Sequence, residues 1–342
     1  MRCKSYVFIN REAELEWVRE YARRSHATPF VIYGPEGCGK TALALEAVRR
    51  FSSWYAGGIA LYIDGKARRA AEAVKSNVNI GDVLAEVGGL TGSVGMSAAR
   101  LAVWLLGKIV EKIAERFAPM NILVVVDELF SAVGVGEGAL AVKYAQELGD
   151  RVLRSKKAEL GEIPKPLAEA SVSYLIFSSE GSSRRELSRH NWAHVALMWN
   201  MGERGFQQLG EALGAPDFSA AWRLCGGNPR CLFQLAELDW DAEKFLTLIA
   251  SSRRIGWVVA EVARRGFADV LREAVENPDV LAEPRGLELA RFLENRNFVI
   301  ELSPIVIGQA PRPDDELGVG RRYAWQTPAL RDAVKMALEG RV

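Results

Sequence analysis

The chain has 342 residues, 49% of them hydrophobic and 25% charged. That is ordinary globular composition, with ample core material for two domains, or three if one is small. The formal net charge of +1 excludes a global field that would draw in nucleic acid or an anionic membrane, so any such contact requires a local patch.

The start, "MRCKSYVFINREAELEW", lacks the apolar core of a signal peptide. Residues 10–24, "NREAELEWVREYARR", predict an amphipathic helix with Leu15, Val18 and Tyr21 on one face and Asn10 as its N-cap. Five apolar runs follow: "PFVIYG" (29–34), "GIALYID" (58–64), "NILVVVDE" (121–128), "VSYLIFSSE" (172–180) and "HVALMW" (194–199). They are continuously apolar rather than alternating, as strands of a sheet covered on both faces must be. Helical patterns at 40–52, 66–86, 97–117 and 139–160 separate most of them. Strands alternating with helices predict an α/β fold with a parallel sheet and right-handed crossovers. The break "GGLTGSVG" (88–95) reads as a loop, not a second phosphate site, because no strand precedes it. The stretch "LAVWLLGKIV" (101–110) is broken by Lys108, preceded by Arg100 and too short to span a bilayer. It reads as a buried helix, and the chain is expected to be cytoplasmic with no membrane contact.

After Trp199 strand signals stop. Residues 203–250 read as helical with a break at "CGGNPR", and 254–296 as helical with breaks at "ENPD" and "AEPRG". A β-hairpin is expected over about 297–307 and 320–326, with its polar tip at "PRPDDELG" and a closing helix from Pro328. Helices followed by such a hairpin suggest a winged-helix module. The expected divisions are 1–200, 201–250 and 251–342. Cys3, Cys38, Cys225 and Cys231 form no CxxC pair and no zinc spacing. Sparse Gln and His with abundant Arg and Glu lean toward a thermophile. Cys225 and Cys231 read either as small buried cysteines or, in such an organism, as a disulfide.

Gly34-Pro35-Glu36-Gly37-Cys38-Gly39-Lys40-Thr41 fits G-x-x-x-x-G-K-[ST], after a predicted strand and opening a predicted helix. Glycines let successive backbone N–H groups turn inward as an anion nest, and the helix beginning near Lys40 adds its positive end, with Ala42 in its first turn. Lys40 is expected to reach the β- and γ-phosphates and the Thr41 hydroxyl to ligate Mg²⁺. "ILVVVDE" ends a buried strand with Asp127 and Glu128, two carboxylates that would be costly there without partners. Beside a phosphate loop the partners are evident. Asp127 orients Mg²⁺ through its water shell, and Glu128 is the general base for water. The pair favours hydrolysis over transfer to a small acceptor.

With both motifs in place the chain resembles the archaeal ATPase family, in the STAND branch of P-loop ATPases related to AAA+ proteins. "FINREAELEWV" (8–18) resembles the family's F-x-x-R-x-x-E-L motif, with Phe8, Arg11, Glu14 and Leu15 in place. "YLIFSSEGSSRREL" (174–187) resembles its fourth core strand and sensor segment, and "WRLCGGNPRCLFQL" (222–235) the G-G-x-P element of its helical lid. The resemblance implies a P-loop core with sheet order 5-1-4-3-2, a lid, and a winged-helix-like C-terminal domain. It implies Ser178 or Ser179 as a polar sensor, Pro229 near adenine, Arg230 near the phosphates, and Phe8 and Arg11 on the adenine side. Phe8 equally suits a place in the core. Arg184, Arg185 and Arg189 are candidates for an arginine finger or plain surface residues. In "GGNPR" itself a glycine ends one helix, Asn228 caps the next and Pro229 takes its first turn.

Three functions fit. The first is an ATPase using ATP and Mg²⁺ as a conformational switch on a protein partner. The second is a DNA-associated ATPase, although "EPRGLELARFLENRN" mixes arginines with glutamates and the tip "RPDDELG" is acidic; Arg321 and Arg322 alone argue for it. The third is a switch that holds ATP or ADP tightly with little turnover. ATP over GTP follows from the resemblance, as no N-K-x-D motif follows the core strands.

Overall fold

The computed structural model describes residues 8–67, 73–88, 98–157, 167, 169–179, 184, 187 and 191–341. In chain order the first part carries α1 (Glu12–Ala22), β1 (Phe30–Tyr33), α2 (Lys40–Trp54), β2 (Ile59–Asp64), β3 (Val74–Ser76), α3 (Gly81–Gly88), α4 (Ala98–Phe117), β4 (Asn121–Asp127), α5 (Leu129–Val133), α6 (Val135–Lys157), β5 (Ser171–Ser178) and β6 (His194–Met198). The second carries α7 (Glu203–Leu213), α8 (Phe218–Cys225), α9 (Pro229–Glu237), α10 (Ala242–Ser252), α11 (Ile255–Arg264), α12 (Ala268–Glu276), a 3₁₀ helix (Pro278–Ala282), α13 (Leu287–Glu294), β7 (Val299–Glu301), β8 (Val306–Ile307), β9 (Tyr323–Trp325) and α14 (Pro328–Leu338).

The central sheet is mostly parallel, in the order β3-β2-β4-β5-β1-β6-β8. Its strands are apolar throughout because alternate residues enter two separate cores. Val31, Leu61, Val124 and Ile176 pack with Val110 and Val142 on one face. Ile32, Tyr62, Val125 and Phe177 pack with Val18, Leu43 and Phe51 on the other. The register aligns the strand ends. Tyr33 lies opposite Ser178, and Asp127 lies opposite Phe177 on one side and Asp64 on the other.

The sheet differs from the five-stranded expectation. The five expected strands stand in their expected mutual order, but two further strands flank them. β3 runs antiparallel to β2 inside the segment 66–86 that reads as one helix. Asn77 explains the break: its side chain accepts from Ala60 N–H and donates to Gly58 O, which suits a strand edge rather than a helix interior. β8 leaves the expected hairpin and pairs with β6, so only β7 and β9 form the antiparallel pair. Asn10 is not the cap of α1. Arg11 occupies that position, while Asn10 has φ 51° and its side chain lies against Gly205 of α7. Of the glycine-rich break 88–95, only Gly88 is within the described residues. Among the described residues no helix is long and apolar enough to cross a membrane.

The break between α8 and α9 follows the local grammar of "GGNPR". Gly226 closes α8 with φ 55°, the Asn228 side chain accepts from Cys231 N–H at 3.1 Å, and Pro229 is the first residue of α9. A disulfide joins Cys225 to Cys231 across this turn. Closing so short a loop stabilises by about 2 kcal/mol in the chain-entropy view. Denatured, unreduced protein should therefore titrate two free thiols, and four after reduction, of the four cysteines in the chain. Four without reduction would show that the bridge is absent.

Candidate nucleotide site

The loop between β1 and α2 is built to receive an anion. Gly37 and Gly39 take φ of +83° and +104°, a region other residues rarely enter. Gly39 is the N-cap of α2 and no side chain caps that end. The first backbone N–H groups of the helix, through Ala42, therefore lack intrahelical partners and carry its positive dipole end. The Lys40 side chain, 4% exposed, donates to Gly34 O and Pro35 O, each at 2.9 Å. Cys38 is buried at the base of the loop, its Sγ 3.6 Å from Met198 O.

The ends of β4 and β2 face this loop. The Thr41 hydroxyl donates to Asp127 Oδ2 at 2.6 Å, and the Tyr62 hydroxyl donates to the same oxygen at 3.0 Å. Asp127 is 2% exposed. Burial pushes its carboxyl above the ordinary range, and the two hydrogen bonds offset only part of that. The Thr41 and Asp127 oxygens suit Mg²⁺, which takes one or two protein oxygens beside nucleotide phosphates.

Glu128 follows with φ 55°, so its side chain turns away from the line of β4. It accepts from Ser179 Oγ at 2.7 Å and Ser131 Oγ at 2.5 Å, and pairs with Lys66 Nζ at 2.9 Å. Burial alone would raise its carboxyl; the bonds from Ser131, Lys66 and Ser179 outweigh burial and lower it to about 2. The structure thus brings Ser179 to Glu128, while Ser178 is buried in β5.

Glu36 is where the loop meets the helices that follow the sheet. Its carboxylate pairs with Arg230 Nη1 at 2.6 Å and with Arg253 Nη2 at 2.9 Å. Its backbone N–H donates to Gln326 Oε1 at 2.8 Å. Burial would raise this carboxyl, but Arg253 and then Arg230 hold it below the usual range. Asn228 Nδ2 donates to Glu36 O and to Asn200 Oδ1, each at 2.9 Å. A Cβ on Gly37 would lie 2.4 Å from Arg230 Cβ, so no larger residue fits under α9.

The remaining expected site residues lie around this centre. Arg11 is buried and donates to Glu14, Cys38 O and Trp199 O, supporting the loop from below. Phe8 is half-buried against the core beneath α1 and α2, 5.9 Å from the Arg50 guanidinium. Pro229 opens α9 beside the loop. Arg184 lies over the Tyr33 ring and pairs with Glu301 at 2.7 Å, and Arg185 and Arg189 lie outside the described residues.

Tyr62, Lys66, Arg253 and Gln326 escaped the sequence reading. Tyr62 and Lys66 had a signal: "YIDGK" ends a buried strand at the same sheet edge as Asp127. Arg253 and Gln326 had none, since only the chain's return to the loop brings them to Glu36.

Residues 8–235 match a family described as "ATPase domain predominantly from Archaea". No curated protein matches the chain. Among solved structures, that of PCH-2 from C. elegans is similar at 12% identity and a TM-score of 0.33, covering 96% of this chain and 68% of that one.

Proposed function

The chain belongs to the family of ATPase domains found predominantly in Archaea, and from that premise we propose that it binds ATP with Mg²⁺, hydrolyses it, and works as a conformational switch on a macromolecular partner. Residues 1–200 form the ATPase core, 201–250 a helical lid, and 251–342 a winged-helix-like module with β7 and β9 as its wing strands. Lys40 and the free N–H groups of α2 hold the phosphates. Thr41 and Asp127 hold Mg²⁺, which supplies charge neutralisation at the terminal phosphates when bound. Glu128 takes the proton of the attacking water, and Ser179 orients that carboxylate. Pro229 borders the adenine, and Arg11 keeps the loop seated.

Glu36 carries this reading. One side chain on the phosphate loop grips arginines from α9 and the end of α10, and the same residue's N–H binds Gln326 ahead of α14. A change in the loop on nucleotide binding is therefore felt by both following units. Arg230 meets Glu36 here, and a terminal phosphate offers it a competing anion. Exchange of one for the other is a two-state element of the kind a switch requires.

Replacing Glu36 with alanine tests the coupling. Both pairs are partly exposed, so together they contribute on the order of 1 kcal/mol. Amide exchange in Asn228–Leu232 and Thr327–Arg331 should rise roughly fivefold in the variant. In the wild type the same amides should respond to ATP with Mg²⁺. Identical exchange with and without nucleotide would remove the switch from this reading while leaving an ATPase.

Slow turnover is the second reading, and Lys66 favours it. A base lowered to about 2 accepts a proton poorly, because general-base catalysis works best near the ambient pH. Lys66 and Ser131 both bond Glu128 Oε2, and opening the Lys66 pair before proton transfer would slow turnover.

A further inference from the structure

The wing tip is acidic, with Asp314, Asp315 and Glu316 in succession, and the helix α13 mixes charges. A basic aromatic face lies between α11 and the C-terminal end of α13. Trp257 of α11 is 48% exposed, and two guanidiniums flank it: Arg254 at 5.6 Å and Arg296 at 5.4 Å from the ring centroid. Both guanidiniums lie over the indole ring, and nearly half of the Trp257 surface stays open to solvent. Arg296 also packs on Phe292 at 3.8 Å, with Arg265 over the same ring at 4.7 Å. The five side chains therefore form one continuous strip.

The charges on this strip are largely unspent. Among the described residues neither Arg254 nor Arg296 has an ion-pair partner; the hydrogen bond shown for the Arg296 side chain goes to Phe292 O at 3.4 Å. Glu261 is the carboxylate bonded into the strip, and it holds both Arg264 and Arg265. Arg254 takes a left-handed backbone, φ 52°, at the N-cap of α11, an uncommon conformation for a residue with a side chain. Asn295 stands exposed beside Arg296.

We propose that the strip formed by Arg254, Trp257 and Arg296 is a binding surface for single-stranded nucleic acid. The exposed part of the indole and the guanidinium planes over it offer surfaces on which any base can stack, and the same unpaired guanidiniums offer phosphate contacts. An acidic peptide would satisfy the guanidiniums and leave the indole exposed to water. A duplex would present phosphates but no free base face. The surface goes beyond the ATPase reading and does not depend on it.

Fluorescence anisotropy with a labelled twenty-residue oligothymidylate, at 50 mM and 200 mM salt, tests the proposal on the full chain. Binding is expected, weakening with salt. Trp257→Ala should weaken it about tenfold, Trp257→Phe should restore most of that, and Arg254→Ala should lower the salt slope by about 0.7. The matched duplex and poly-L-glutamate should bind more weakly than the single strand. Lys40→Ala should bind the oligonucleotide as the wild type does, which separates this surface from the nucleotide site. No binding at 50 mM salt, equal binding by Trp257→Ala, or equal or tighter binding of duplex or poly-L-glutamate would overturn it.

Discussion

Lys40→Ala is expected to abolish ATP binding at concentrations where the wild type saturates. The Lys40 amine is almost wholly buried and rests on two carbonyls of its own loop, so it is already positioned where phosphates would enter. A charge-assisted bond contributes about 1.5–3 kcal/mol, and Lys40 is assigned to two phosphates. The loss should therefore approach several hundredfold in affinity, measured by titration calorimetry with ATP and Mg²⁺. The fold should survive, because Arg11, Asn228 and Gln326 hold the loop independently of Lys40. A folded Lys40→Ala variant that binds ATP as the wild type does would place the nucleotide elsewhere.

Glu128→Gln should separate binding from turnover. Glutamine has nearly the same shape; its oxygen can accept from one of Ser179 and Ser131, which bond different oxygens of Glu128, and its amide can donate to the other hydroxyl, so the site should stay assembled. It lacks a basic carboxylate, and loss of a positioned general base costs typically 10²–10⁴-fold in rate. The Lys66 pair sets a second expectation within the same experiment. With the carboxylate gone, Lys66 loses its ion-pair partner, and the segment after β2 should loosen whether or not nucleotide is present. Unchanged ATP affinity with turnover reduced at least a hundredfold is the expected pattern. Turnover at the wild-type rate would show that Glu128 is not the base.

The chemistry-bearing ends of the sheet were legible because they obey local rules. A run such as "ILVVVDE" has five apolar residues before two acids, and both faces of that strand are buried. The phosphate loop and "GGNPR" are likewise local, set by glycine φ values, a capping Asn and a helix-opening Pro. What stayed hidden depends on distant partners. β8 is two residues long and exists because Leu197 N–H meets Ile305 O. Asn10 looks like a cap, yet packing against Gly205 claims its side chain. The disulfide stood as one of two alternatives, since only the turn geometry brings Cys225 and Cys231 together. The Arg230 partner was hidden as well, since its pair with Glu36 joins residues 194 positions apart.

Single-turnover hydrolysis of γ-labelled ATP decides whether these parts make an ATPase. Excess protein is mixed with labelled ATP and Mg²⁺, and released phosphate is followed for wild type and Glu128→Gln in parallel. The wild type should release phosphate, slowly while Lys66 holds Glu128, and Glu128→Gln should bind the label and keep it intact. Bound ATP that the wild type never cleaves, or that both proteins cleave at one rate, would contradict the assignment of Glu128 and with it the hydrolytic site.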